Sequence, residues 1–61
     1  MNKIEITNSL DKVQAAILSA MEYLENDLDI ICDENTYEQC KTTIDELYQA
    51  NQSLENVIKE L

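Results

Sequence analysis

The sequence predicts an all-α fold, an antiparallel helical hairpin that is expected to dimerise into a four-helix bundle. The 61 residues include no glycine and no proline. Strand-rich folds use both residues in turns and bulges, whereas helix interiors exclude them. A heptad pattern in the second half of the chain predicts a helix with one narrow apolar side. Such a side has to pack against another helix.

The heptad pattern steps by three and four residues without a break to the end of the chain. Its two core positions, a and d, hold Tyr37, Ile44, Asn51 and Ile58 (a) and Cys40, Leu47, Leu54 and Leu61 (d). Two helices alone do not enclose a core, but two hairpins related by a two-fold axis do. We therefore expect self-association through Ile44, Leu47, Asn51, Leu54 and Ile58. The first helix would complete this core with Leu10, Val13, Ile17 and Leu24.

A single domain is expected over residues 1–61, with helix 1 over about residues 9–32. Thr7, Asn8 and Ser9 are each suitable as the N-cap, and a start near Ser9 is favoured, with residues 1–8 as the preceding arm. Ile6 also continues the apolar stripe and would allow a start near Asn2. The stripe comprises Leu10, Val13, Ile17, Ala20, Met21, Leu24, Leu28 and Ile31. A strict heptad would place Asp27 in the stripe. Because Leu28 occupies that role instead, the register is expected to shift by one position.

The turn is expected at about residues 33–36, followed by helix 2 over about residues 37–61. Thr36 and Gln39 have the spacing of a capping box, in which each side chain bonds the backbone amide of the other residue. Asn35 would take the left-handed conformation that ends helix 1. Cys32 and Cys40 flank the turn without lying opposite each other, so we expect free thiols rather than a disulfide.

Charge is the second marked property of the chain. The formal net charge is −9, from thirteen acidic residues against four lysines. Nucleic-acid backbones and anionic membranes attract basic surfaces, so direct binding to either is disfavoured. The natural complement is a protein partner with a basic surface.

A strip of acids along one face of helix 1 is the expected partner-binding site. It consists of Glu22, Glu25, Asp29 and Asp33, spaced by three or four residues. Asp29 and Asp33 would lie at the C-terminal end of helix 1, where negative charge opposes the helix dipole. Acids that oppose their own dipole favour a functional role over simple solvation of the surface.

Composition also bears on the class of function. The chain has no histidine, two cysteines and no glycine-rich loop, so neither an enzyme nor a metal or cofactor site is expected. The first residues form no apolar h-region of a signal peptide and no segment approaches the length of a membrane span, so the default expectation is a cytoplasmic protein.

In length, hairpin layout and acidic balance the chain resembles the Rop family of dimeric four-helix bundles, and the segment Asp45-Glu46-Leu47-Tyr48 is similar to part of that family. The resemblance implies the bundle fold. The family binds RNA through polar and basic residues of its first helix, whereas the body of helix 1 here holds a single lysine, Lys12, and a row of acids. The fold is therefore expected to carry over, and the RNA function is not.

The leading functional prediction is a small acidic protein-binding module, an adaptor or inhibitor that occupies a surface of its partner. One alternative is a mimic of nucleic acid that inhibits a DNA- or RNA-binding protein, as phage counter-defence proteins do. A further alternative is a co-chaperone or antitoxin-like half-module that completes its core with another protein. The sequence leaves these three open.

Overall fold

Two long helices packed side by side form the molecule. The computed structural model describes residues 2–61, so the first residue of the expected domain lies outside the described part. Helix α1 spans Lys3–Leu28 and helix α2 spans Glu34–Glu60. They form an antiparallel hairpin with dimensions of 47 × 15 × 13 Å. The predicted all-α hairpin is thus confirmed.

Helix α1 begins six residues earlier than the favoured expectation of Ser9. Asn2 is the N-cap, and its Oδ1 accepts a hydrogen bond of 2.8 Å from the backbone N–H of Glu5. Thr7 is not a cap, since its hydroxyl donates to the carbonyl of Lys3 within the helix. The early start has a packing reason. Helix α2 runs to Glu60, and the added turns of α1 cover its last turns and leave Ile6 half-buried.

The turn lies nearer the N-terminus than expected. Helix α1 ends at Leu28 rather than near Cys32, and α2 begins at Glu34 rather than Tyr37. No residue of the described part has a positive φ angle, so Asn35 does not take the left-handed conformation. It lies instead in the first turn of α2.

Asp33, and not Thr36, is the N-cap of α2. Its Oδ2 atom accepts hydrogen bonds from the backbone N–H of Thr36 at 2.8 Å and from the Thr36 hydroxyl at 2.7 Å. Asp and Thr both serve well as N-caps. Capping by Asp33 is favoured because it lengthens α2 by three residues and also gives the Thr36 hydroxyl a hydrogen-bond acceptor.

The two helices meet along a pair of heptad seams. The seam of α2 is the expected one from Tyr37 to Ile58, and every residue in it is half-buried, whereas Leu61 is exposed. The seam of α1 holds Thr7, Leu10, Gln14, Ile17, Met21, Leu24, Leu28 and Ile31. These positions follow the steps of three and four throughout, so the expected register shift does not occur.

Val13 is the main correction to the expected core. Gln14 occupies its place in the α1 seam, and the Val13 side chain is 47% exposed. Among the described residues, only Met21 is buried, at 8% exposure. The hairpin on its own therefore leaves most of its apolar side chains partly in contact with water.

Neither helix is long and apolar enough to cross a membrane within residues 2–61.

Candidate interaction surfaces

The residues predicted to mediate self-association face α1 of the same chain. Ile44, Leu47, Asn51, Leu54 and Ile58 are all half-buried in the seam of α2. A single opposing helix covers one side of such a seam and leaves the other side open. The structure thus brings these five residues together in one row, with their outer flank accessible.

The seam has two flanks, and local contacts identify them. On one flank, a shallow groove near the loop is lined by residues of both helices, Leu24, Asp27, Ile31, Thr36, Gln39, Cys40 and Thr43. On the other flank, Gln14 Nε2 of α1 donates to Glu55 Oε2 of α2 at 3.4 Å. Positions that precede a in the heptad therefore share the first flank, and positions that follow d share the second.

The flank with the groove is almost without charge, and we call it the neutral face. It is formed by the residues that directly precede the a positions, Ile6, Val13 and Ala20 on α1 and Thr43, Ala50 and Val57 on α2. Ile6 and Ala20 are half-buried and the other four are exposed. Asp27 is the charged residue at the corresponding position near the loop, where it lines the groove.

The other side of the hairpin carries most of the acids, and we call it the acidic face. Its carboxylates directly follow an a or d position, and all are exposed: Asp11, Glu22, Glu25 and Asp29 near α1, and Glu38, Asp45 and Glu55 on α2. Two lysines, Lys41 and Lys59, share this spacing. The ammonium of Lys41 lies 5.7 Å from the centroid of the Tyr37 ring, a cation–π contact within one turn of α2.

The predicted acidic strip is divided by the turn. Glu22 and Glu25 lie on α1, Asp29 is its C-cap, and all three are exposed. Asp33 belongs to α2 as its N-cap, so it does not continue the face of α1 as expected. Hydrogen bonds from the hydroxyl and the backbone N–H of Thr36 lower the pKa of the Asp33 carboxyl below its ordinary value of 3.8. Asp33 therefore has a structural role irrespective of any partner.

Asn51 brings an unsatisfied polar atom into the seam. Its Oδ1 is buried and has no hydrogen-bond partner among the described residues. Cys40 Sγ donates to the carbonyl of Leu24 at 3.6 Å, and this contact shows the register of the two helices. Gln14 and Asn51 then lie at about the same level, about three helical turns further from the loop. Gln14 bonds Glu55 rather than Asn51, and the amide oxygen stays unpaired.

Both cysteines are free thiols in different surroundings. Cys32 is exposed in the loop, whereas Cys40 is half-buried and lines the groove of the neutral face. Among residues 2–61, no three side chains of His, Cys, Asp or Glu lie together as a metal site would require.

Sequence reasoning located the seam and the acids but missed the neutral face. Its signal was present in the sequence, because the residues before the a positions are uncharged on both helices apart from Asp27. Fold and surfaces together define an all-α helical hairpin with one acidic and one neutral face. Comparison of the chain with family models, with curated proteins and with solved structures found no match.

Proposed function

We propose that this protein is a small acidic protein-binding module that acts as an adaptor or inhibitor by occupying a basic surface on a partner protein. The observation that supports the proposal is the segregation of charge. Seven exposed carboxylates share one side of the hairpin, and the opposite flank of the seam is nearly uncharged. With seven carboxylates against Lys41 and Lys59, this face has a net negative charge, which steers a basic partner and favours it over other proteins.

The acids near the end of α1 form the centre of the proposed binding site. Glu22, Glu25 and Asp29 lie within about two turns, and no basic residue lies in the last turn of α1. Glu25 in the last turn and Asp29 at the C-cap oppose the helix dipole and are not offset by a lysine, so they cost the hairpin some stability. A basic partner would remove that cost on binding. Asp33 would add its charge at the edge of this site.

Self-association is the second part of the proposal. Only Met21 is buried among the described residues, and a chain of this size gains stability by burying more apolar surface in an oligomer. We propose a homodimer of hairpins, a four-helix bundle, with the half-covered seams at its centre. The acidic faces would then lie on the outside of the bundle.

The test of partner binding uses two variants with the same change in charge. One carries Glu22→Gln, Glu25→Gln and Asp29→Asn, and the control carries Glu5→Gln, Glu46→Gln and Glu60→Gln, three exposed acids outside the acidic face. Asp33 is left unchanged because it caps α2. Immobilised protein is exposed to an extract of its own cells, and retained proteins are eluted with salt.

We expect a basic protein that the wild type and the control retain at about 0.1 M salt and release at higher ionic strength. The variant of the acidic face should lose it. Equal retention by all three proteins would refute the proposed site. Circular dichroism of each variant shows whether the hairpin is intact.

Mimicry of nucleic acid is the second candidate, because the acidic face follows both helices from Asp11 to Asp29 and from Glu38 to Glu55. It differs from the first in what the partner normally binds. A nucleic-acid mimic would compete with duplex DNA or RNA for the captured protein and would not itself bind either one. If DNA and the hairpin bind the captured protein together, the mimic is excluded and the adaptor stands.

The half-module is the third candidate, and solution mass distinguishes it. Light scattering over a dilution series, with circular dichroism on the same samples, is expected to show a helical dimer at low micromolar concentration. A poorly folded monomer would instead indicate that the seams are completed by helices of another protein.

A further inference from the structure

We infer that the second copy of the chain docks on the neutral face, with the loops of the two hairpins at opposite ends of the bundle. This inference rests on the proposed self-association and is independent of the proposed basic partner. It names the face and the orientation, which the seam residues alone leave undetermined.

Repulsion between copies selects the face. Each chain carries a formal charge of −9, so two copies repel each other, and the repulsion is weakest when the surfaces in contact are neutral. The acidic face would bring together seven carboxylates from each copy. The neutral face brings together Ile6, Val13, Ala20 and their counterparts on α2, with Asp27 as its charged member near the loop.

The apolar character of the molecule favours the same flank. The d positions adjoin the neutral face, and in both helices they are apolar between Leu10 and Leu61. The polar seam residues Gln14 and Asn51 occupy a positions, which adjoin the acidic face. Beyond the neutral face on α1, the apolar surface continues through Ala16, Tyr23 and Ile30, all of them exposed. Docking on this flank buries apolar surface and leaves the Gln14–Glu55 hydrogen bond at the edge.

The area of the face meets the requirement of a specific dimer. A face of 47 by 15 Å corresponds to about 700 Å² on each copy. Specific interfaces bury about 800 Å² on each partner. Side chains that interdigitate bury more than this flat outline, so one face supplies the area that a stable dimer needs.

The distribution of charge along the hairpin selects the orientation. The half with the loop, about residues 16–47, holds nine acids and one lysine, Lys41, whereas the half with the termini holds four acids and three lysines, Lys3, Lys12 and Lys59. With both loops at one end, two such acidic halves would lie side by side. With loops at opposite ends, each acidic half lies beside lysines of the other copy, and the loops are separated by several Debye lengths of about 10 Å.

The test of the face compares two positions of α1 with similar exposure. Val13 is 47% exposed on the neutral face, and Leu18 is 52% exposed on the other flank. Each is replaced by lysine, a change that lowers the negative charge of the chain equally in both variants. Val13→Lys places a charge in the proposed interface and should weaken the dimer about 100-fold or more. Leu18→Lys should leave the dissociation constant within about threefold, by sedimentation equilibrium.

A second pair of substitutions, on α2, keeps the test decisive if a variant of the first pair does not fold. Val57→Lys on the neutral face of α2 should act like Val13→Lys, and Tyr48→Lys on the other flank like Leu18→Lys. Wild-type affinity in both neutral-face variants, with helical circular dichroism, would overturn the proposed face. A wild-type monomer would overturn both this inference and the proposed dimer, while the binding of a basic partner is measured separately.

The orientation is tested by the distance between spin labels on Cys32 of the two copies. The labelled chain carries Cys40→Ala, so that the exposed loop cysteine is the labelled one. Loops at opposite ends predict a separation near the 47 Å length of the hairpin. Loops at one end would place the labels within about two hairpin widths of 15 Å, and that shorter distance would overturn the orientation.

Discussion

Asn51 is the residue at which the seam departs from an apolar core. Its Oδ1 is buried without a partner among the described residues, whereas the Gln14 side chain at the same level bonds Glu55. A buried polar atom without a hydrogen bond costs about 1–3 kcal/mol. Polar residues at a positions of coiled coils fix register at such a cost. The hairpin by itself therefore bears this cost without the paired amide that would align the helices.

Replacement of Asn51 by leucine should raise the free energy of unfolding by about 1–2 kcal/mol, because it removes the unpaired amide and adds apolar contact in the seam. Urea denaturation at fixed protein concentration measures the change. Asn56→Leu, at an exposed position of α2, is the control and should change stability by less than about 0.5 kcal/mol. A less stable Asn51→Leu protein would show that the amide is hydrogen-bonded in solution.

Asp33 makes the start of α2 sensitive to acid. Its pKa lies below 3.8 in the folded chain because the carboxylate accepts hydrogen bonds from the hydroxyl and the backbone N–H of Thr36. A pKa lowered by folding contributes stability that is fully present above 3.8, the ordinary value. That contribution is lost as the pH falls through the lower pKa of the folded state.

Asp33→Asn retains an oxygen that accepts from the Thr36 N–H, but its amide does not titrate. The melting temperature of this variant should therefore fall less than that of the wild type between pH 5 and pH 2. Thermal denaturation followed by circular dichroism at several pH values gives the difference, in which the other carboxyl groups cancel. Parallel curves for the two proteins would contradict the assigned role of the carboxylate.

At the scale of the helix, α1 ends in an unfavourable electrostatic arrangement. Asp27 lies in its last turn and Asp29 is its C-cap, and the last turn has no base. Helix α2 has the opposite arrangement, with Glu34 in its first turn and Lys59 in its last. If stability alone determined the sequence, α1 would carry acids in its first turn and basic residues in its last turn, as α2 does. The acids at the end of α1 are therefore the residues that a binding function would explain.

Asp29→Lys should raise the free energy of unfolding by about 0.3–1 kcal/mol, since it places a cation at the C-terminal end of the α1 dipole. Glu34→Lys is the mirror control and should lower it by a similar amount. Urea denaturation at low salt measures both. If Asp29 contacts the basic partner, the Asp29→Lys protein binds that partner less tightly although it is more stable. Equal shifts of the two variants in one direction would exclude the dipole as their cause.

The helices were predictable from sequence to different degrees. The seam of α2 follows from an uninterrupted heptad, and Ala50 and Val57 beside it form no competing stripe because Thr36 and Thr43 hold the corresponding earlier positions. In α1, Val13 and Gln14 compete for one position, and only the match to the seam of α2 selects Gln14. The N-cap of α2 was predicted wrongly because Asp33 and Thr36 each precede residues that can form a helix. The choice between them depends on how many residues of α2 pack against α1. Pairing of helices, rather than local preference, decided both cases.

For the whole molecule, we expect the proposed self-association and the proposed partner binding to respond to salt in opposite directions. Two chains of net charge −9 repel each other, and added salt screens that repulsion. An acidic face on a basic partner is held by attraction that salt also screens.

Raising the salt from 0.01 M to 0.5 M should therefore strengthen the dimer and weaken the complex with the basic partner, because the Debye length falls from about 30 Å to below 10 Å. Sedimentation equilibrium measures the first effect, and a titration of the captured partner measures the second. A dimer that weakens with salt would contradict a neutral interface and would indicate ion pairs between the copies.

The relative reactivity of the two cysteine thiols reports whether copies of the chain have associated. Cys32 lies exposed in the loop and stays outside a bundle built on the neutral face, whereas Cys40 lines the groove that such a bundle covers. An alkylating reagent therefore reacts with Cys32 at one rate at all protein concentrations and with Cys40 more slowly as copies associate. The ratio of the two rates, read by mass spectrometry, reports occupancy of the groove in the unaltered protein, inside a cell as well as in a tube.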